Sequence, residues 1–480
     1  MKKSLIVTHL TSIIKNCFIV SLFLWTPQTL LKFSLPLAHE IFDSPISIQI
    51  VQQSKPVSEP KEEKPWTFIV YISADNDLRG FAPRNIKQMA AVGSNKNINI
   101  LVHLDIRISG NLKITRRYYI KKNKLVHVNA DDTSSQKMDS GIPETLISCC
   151  RWATTDYPAT NYALILWNHG SGIVDPMRGK IFNVSELFTF NPLTNKLELD
   201  RSVGYLDLIN AKSIPCRGIC WDDSTGHFLT NQDLDYALNV IHADVLKGKK
   251  LDIIGFDACL MSMLEIGNIV KKYANVMVGS QEVIYGMGWH YTKLLYPFST
   301  HSLDTKTFAQ HIVTVYEQTY GKITDDYTLS AVDLSAIHQM EKNVDLVAEL
   351  LLASFKIQKN ESVRHILRIS KNKLLCTHFD EPSYLDLHHL YTNIESNLKH
   401  FRLTDQKKEK FIKQELIQAL SDGRDLIKKI VFANTAGKTL SKAMGLSIYF
   451  PERKLHSSYY KTNFAYTNSW IDLVAHYHNS

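Results

Sequence analysis

The chain predicts an α/β fold in which a mostly parallel sheet is flanked by helices and followed by a smaller mixed domain. Three observations lead there. Short, continuously apolar runs alternate with helical stretches from Trp66 onward, as strands buried on both faces by crossover helices do. Two of these runs, Tyr162–Trp167 and Leu251–Phe256, stop abruptly at chemistry-bearing polar residues. A chain of 480 residues also exceeds what one hydrophobic core usually encloses, so a second domain is expected.

Taken in order, the chain opens with Lys2 and Lys3 and an apolar run from Cys17 to Trp25 broken only by Ser21. That run has the length of a signal-peptide core rather than of a membrane span. Residues 1–38 are read as an export signal, with an uncleaved anchor over Cys17–Leu31 as the alternative, because the small residues nearest a cleavage point are Ser34 and Ala38 and no Ala-x-Ala occurs. Residues 39–65 are read as a linker, polar and proline-punctuated over Gln52–Pro65. The folded body begins at Trp66. Strand 66–73, helix 81–91, strand 97–105, a ribbon near 116–128, helix 143–153 and strand 162–167 follow. After strand 252–256 a helix is expected from Cys259 to about Tyr273, then strand 276–280. Beyond Ser335 the pattern changes to longer helical periods, over 340–355 and 405–431, ending in a strand over 445–451. The domains are therefore set at 66–335 and 336–480.

Composition narrows the function. Apolar residues make up 44% of the chain and aromatics 10%, enough for a large core. The net charge of +8 comes from scattered lysines with no dense basic block interleaved with aromatics, which argues against nucleic acid as a partner. Gly170-Ser171-Gly172 lacks the third glycine and onward helix of a dinucleotide site. Seven cysteines form no disulfide framework, although Cys216 and Cys220 are spaced to pair with each other. No second pair supports zinc, and His378, His388 and His389 fall where a helix or strand start is the simpler reading.

Cys259 stands just beyond one buried strand and His169 just beyond another. If both strands run parallel in one sheet, the two side chains emerge at the same edge although 90 residues separate them. A helix starting at Cys259 would lay its positive end beside the thiol and favour thiolate. The glycines after His169 offer mobile backbone amides near the imidazole, suited to an oxyanion. Taken singly, a cysteine is more often a buried small hydrophobe and a histidine a structural residue. Two strand ends converging on one edge are what a thiol nucleophile and its base require.

These residues resemble a known family. Asn168-His169-Gly170 after one strand and Asp257-Ala258-Cys259-Leu260-Met261-Ser262 after another are similar to the clostripain family of cysteine peptidases, relatives of gingipains, legumains and caspases. Trp66 to Leu78, Ser280-Gln281-Glu282 with Gly288-Trp289, Thr328 to Leu334 and Gly445 to Pro451 extend the resemblance from Trp66 to the C-terminus. It implies a caspase-like peptidase domain over 66–335, Cys259 as nucleophile, His169 as acid-base partner and backbone amides near Gly170 and Cys259 as the oxyanion site. It also implies cleavage of protein or peptide substrates after Arg or Lys, with Asp257 lining the pocket for the basic side chain; Asp257 also suits a helix cap. One departure weakens that pocket. Tyr285-Gly286-Met287-Gly288-Trp289-His290 carries neither the proline nor the second acid of basic-specific relatives, with Met287 and His290 in the positions where an acid would help. The long segment 172–220 matches the place where family precursors cut themselves, making Arg178, Lys180, Lys196, Arg201, Lys212 and Arg217 candidate processing sites; an ordinary lid is the other reading. The chemistry needs no cofactor and no metal. Asp222-Asp223-Ser224-Thr225-Gly226 is oxygen-rich and suits calcium, as some relatives require, but lacks EF-hand spacing and reads as a turn. The competing function is an idle relative that binds peptides or proteins without cutting them. The expected location is outside the cytoplasm, with membrane association only through an uncleaved N-terminal segment.

Overall fold

The computed structural model describes residues 49–52, 62–109, 112–128, 137–175, 187–201, 218–356 and 361–479, which belong to one compact unit, Ser47–Ser480. The strands in chain order are β1 Gln49–Gln52, β2 Lys64–Ala74, β3 Ile98–Ser109, β4 Leu112–Lys121, β5 Lys124–His127, β6 Ala159–Trp167, β7 Phe188–Asn191, β8 Lys196–Leu199, β9 Leu251–Asp257, β10 Ala274–Gly279, β11 Thr328–Asp333, β12 Tyr384–Asp386, β13 Val431–Ala436 and β14 Ser447–Tyr449. Ten of them form the central sheet in the order β1-β5-β4-β3-β2-β6-β9-β10-β11-β13. The middle five, β3-β2-β6-β9-β10, are all parallel, while β4, β11 and β13 attach antiparallel. Every residue of β9 is buried, and so is β2 from Trp66 to Ala74, as expected of strands covered on both faces.

The helices that bear on the site are α1 Ala82–Val92, α2 Pro143–Asp156, α3 Asn231–Val240, α4 Leu264–Val270, α5 Tyr291–Leu295, α6 Thr305–Tyr320, α7 Ile337–Lys356, α8 Glu361–Ser370, α9 Leu387–Asn397 and α10 Gln406–Ile430. Local chemistry sets their ends. Helix α1 has a proline in its first turn and stops at Gly93, whose φ of 72° is left-handed. Helix α3 opens with a capping box between Thr230 and Asp233, and α6 with Asp304 accepting from the Thr307 N–H.

Three expectations are corrected. Residues 39–65 are not wholly a linker, since Gln49–Gln52 pair in parallel with β5 as an exposed edge strand and β2 begins at Lys64. The boundary at 335 is no structural seam: β13 returns from beyond it to complete the sheet, and Ser447 of β14 donates both its N–H and its hydroxyl to the Ser262 carbonyl. The third concerns Cys259. Helix α4 starts at Leu264, with the extended Met263 as its N-cap, so Cys259 does not sit at a helix N-terminus. In its place Leu260 takes φ 64° and donates its N–H to the Glu282 carbonyl, and Ser262 N–H bonds the Ser280 carbonyl, so the chain crosses toward β10 before it coils.

No helix among the described residues is long and apolar enough to cross a membrane. The expected signal or anchor over 1–38 lies outside them, as do Arg178, Lys180, Lys212, Cys216 and Arg217.

Candidate active site

β6 and β9 lie side by side and parallel, with Trp167 opposite Asp257. The ladder therefore ends with both strands at one level, and Asn168 N–H still reaches the Asp257 carbonyl at 3.3 Å. His169 and Cys259 follow directly and line one small cavity with Leu78, Asp257, Ile284 and Tyr285. Both are almost fully buried, at 1% and 3% exposure. Gly170 is not in that wall. It packs behind it, where a side chain at 170 would collide with the Cys259 carbonyl, so the two loops approach as closely as only glycine permits.

The imidazole is held from the far side. His169 Nε2 lies 2.7 Å from Asp77 Oδ1, and the Asp77 side chain is 10% exposed. Asp77 owes its position to Asn76, whose side chain caps the following turn at Leu78 N and also donates to the carbonyls of Ser73 and Trp221, both at 3.0 Å. Asn168 completes the knot by accepting from Trp221 N–H at 2.9 Å. An ionised carboxylate can only accept, so this contact places a proton on Nε2 of the imidazole. Sequence reasoning did not single out Asp77; its place within the quoted opening motif, Ser73 to Leu78, is the signal that pointed to it.

The sulfur of Cys259 lies 3.2 Å from Ile284 N, which donates to it, and 3.8 Å from the Ile284 carbonyl. A main-chain N–H aimed at the sulfur is placed to carry negative charge there, the task first assigned to a helix end.

Asp257 lies behind Cys259, 4% exposed. Its carboxylate accepts from Trp289 N–H at 3.0 and 3.1 Å and from the Tyr291 hydroxyl at 2.8 Å. Burial nevertheless dominates, and pushes its pKa up to about 7. It caps no helix; it holds the 288–291 loop. Gly288 has φ 61°, and a Cβ there would stand 2.6 Å from Asp257 Oδ2, so this glycine is what lets the loop close over the carboxylate. Asp257 is the one acid among the described residues that line the cavity. Met287 is buried against Arg84, and His290, pushed down to about 4 by burial and Lys293, accepts from Lys293 N–H as a neutral ring.

Near the His169 side, Lys113 ties Asp222, Asp105 at 3.0 Å and Asp75 at 3.7 Å together. The other Asp222 oxygen accepts from Ser224 and Thr225 N–H at 3.1 and 3.2 Å, which makes the 222–226 run a turn. With one oxygen on two amides and the other on an ammonium, these residues fit Lys113 as their cation and do not fit calcium. The three C-terminal histidines do not converge. His378 lies between the carbonyls of Pro382 and Lys371, and His389 accepts from Thr377 N–H. No cluster of three or more His, Cys, Asp or Glu placed for a metal is found among the described residues. Cys220 is a free, buried thiol.

Comparison with known proteins gives the chain's family and its fold. Over 270 residues the chain is 26% identical to clostripain of Hathewaya histolytica, a match spanning 52% of this chain and 45% of that one. Two solved structures share the fold: a secreted C11 cysteine protease from Bacteroides thetaiotaomicron in complex with an irreversible peptide inhibitor, and an inactive zymogen C11 protease from Parabacteroides distasonis. The first has a TM-score of 0.53 and 18% identity over 85% of this chain and 99% of the other. The second has 0.51 and 18% over 87% and 99%. The expected caspase-like α/β class is thus the observed one. A model of the clostripain family matches residues 70–185 and 204–477, most of the chain, and the chain belongs to that family.

Proposed function

We propose that this chain is a cysteine endopeptidase that hydrolyses peptide bonds after basic residues, Arg ahead of Lys. The observation that carries this is the convergence of Cys259, His169 and Asp257 on one cavity at the ends of two adjacent parallel strands. Cys259 Sγ attacks the scissile carbonyl, and the proton it gives up passes through His169 to the leaving amine. The resulting thioester is hydrolysed by a water that His169 deprotonates. Asp77 keeps the imidazole oriented through both steps, as its 2.7 Å contact with Nε2 supports. Asp257 receives the substrate's basic side chain, and a planar guanidinium matches a carboxylate better than an ammonium does. The family and the apolar run at Cys17–Trp25 support export, and protein or peptide substrates outside the cytoplasm.

Labelling by a basic peptidyl electrophile tests the reading. Covalent capture by the full chain, lost in Cys259→Ala, together with turnover of an Arg-ended peptide amide, is the expected result. Capture without turnover would leave a peptide-binding relative in place of a peptidase.

A further inference from the structure

Residues 186–203 fall between the two stretches that the family model matches. Within them β7 and β8 form a hairpin, Phe188 opposite Leu199 and Asn191 opposite Lys196, turning through Asn195 with φ 54°. The outer strand is fastened to the body: Leu197 N–H reaches the Ile323 carbonyl at 2.7 Å, and Lys196 pairs with Asp325 at 2.6 Å. The chain leaves the hairpin through Arg201, whose guanidinium meets Glu282 at 2.8 Å and Asp326 at 3.3 Å. Glu282 is fully buried, and its main-chain carbonyl holds Leu260, the residue after Cys259, at 3.2 Å. At the same open end of the hairpin, on the strand that pairs with it, the Phe188 ring packs edge-on against Tyr285, with centroids 5.3 Å apart and planes at 86°. Tyr285 lines the cavity beside Cys259 and His169.

We propose that this hairpin is an added wall of the substrate cleft, and that Phe188 and Arg201 are positioning residues for the 282–288 loop. The proposal deepens the peptidase reading and rests on it. Gly286 and Gly288 make that loop permissive, so what fixes it must come from outside. Arg201 clamps one end through a fully buried carboxylate, and Phe188 braces the middle through Tyr285. Lys196 and Arg201, both among the expected processing sites, are engaged in ion pairs with Asp325 and with Glu282 and Asp326.

Because the wall acts on binding, its test avoids turnover. Calorimetry would compare an Arg-ended peptide on Cys259→Ala and on Cys259→Ala carrying Phe188→Ala, with melting temperature recorded for each. The expected result is about three- to tenfold weaker binding, the size of a lost aromatic pair, with Phe188→Tyr restoring affinity; Phe188→Ala also lowers the melting temperature because the ring is buried, so binding is compared well below it. Equal affinities would overturn the proposal, as would a loss that Phe188→Tyr does not recover. Absence of binding by Cys259→Ala itself would also overturn it, leaving no cleft to wall. Turnover by the unmodified chain is measured separately, so a failed peptidase reading cannot be mistaken for a failed wall.

Discussion

Selectivity for a basic side chain should switch on with pH, because Asp257, the one acid among the described residues lining the cavity, is pushed up by burial to about 7 from 3.8. That displacement of roughly three units corresponds to about 4 kcal/mol by which the buried site disfavours the anion. The sign follows directly. Below pH 7 Asp257 is mainly neutral and offers a guanidinium no charge; above it the carboxylate predominates. Since kcat/KM reports the free enzyme, the ionised fraction sets the advantage of an Arg substrate. Going from pH 7 to pH 6 lowers that fraction from about one half to about one tenth, so the advantage should fall roughly fivefold, while going to pH 8 should gain less than twofold. The assay is the ratio of kcat/KM for two peptides that differ only in Arg or a neutral residue before the scissile bond, measured from pH 5.5 to 8.5. Taking the ratio cancels titration of the thiol and imidazole, which both substrates share. Asp257→Asn should flatten the ratio and lower it at pH 8 while sparing the neutral peptide. A ratio independent of pH in the unmodified protein, or equal losses on both peptides in Asp257→Asn, would refute the reasoning and leave Asp257 as a loop anchor only.

Other expectations follow from single contacts. Asp77→Asn should lower kcat by about 10²-fold with KM little changed, because the imidazole loses the partner that fixes its tautomer; a steady-state assay showing less than a twofold change would mean His169 needs no such support. Gly288→Ala should destabilise the fold by about 1–3 kcal/mol, since φ 61° and the 2.6 Å approach to Asp257 both oppose a Cβ, and thermal melting would show it. If the 172–220 segment is cut by the protein's own activity, mass spectrometry should find two pieces for the unmodified chain and one for Cys259→Ala, whereas identical intact masses would leave it uncut.

The sequence revealed the central strands because their burial is nearly complete. Ile253–Phe256 of β9 and Ala163–Trp167 of β6 carry no polar side chain, and only a strand covered on both faces reads that way. The same contrast between apolar run and polar stop located His169, Cys259 and Asp257. What stayed hidden depends on contacts between distant residues. Nothing about Leu260 announces a left-handed turn, and the apolar stretch from Leu260 through Ile269 reads as helix from its start, although only its second part coils. Asp77 looked like part of a turn because its role exists only once His169, 92 positions away in sequence, lies against it. β13 follows a long helix without a break in composition, so its first residue was taken into that helix, and only pairing with β11 reveals a strand.

The adjacency of β6 and β9 means that any cut between residues 170 and 258 would leave His169 on one polypeptide and Cys259 on another. The proposed reacting pair would then belong to neither fragment alone. It would be held by main-chain hydrogen bonds between two chains, over the paired positions from Ala163 with Ile253 to Trp167 with Asp257, and by the fully buried surfaces on either side of them. Such a protein would behave as a heterodimer whose interface is its own core. Its fragments would stay together on dilution, separate only under conditions that unfold the sheet, and regain activity only when both were refolded in the same solution.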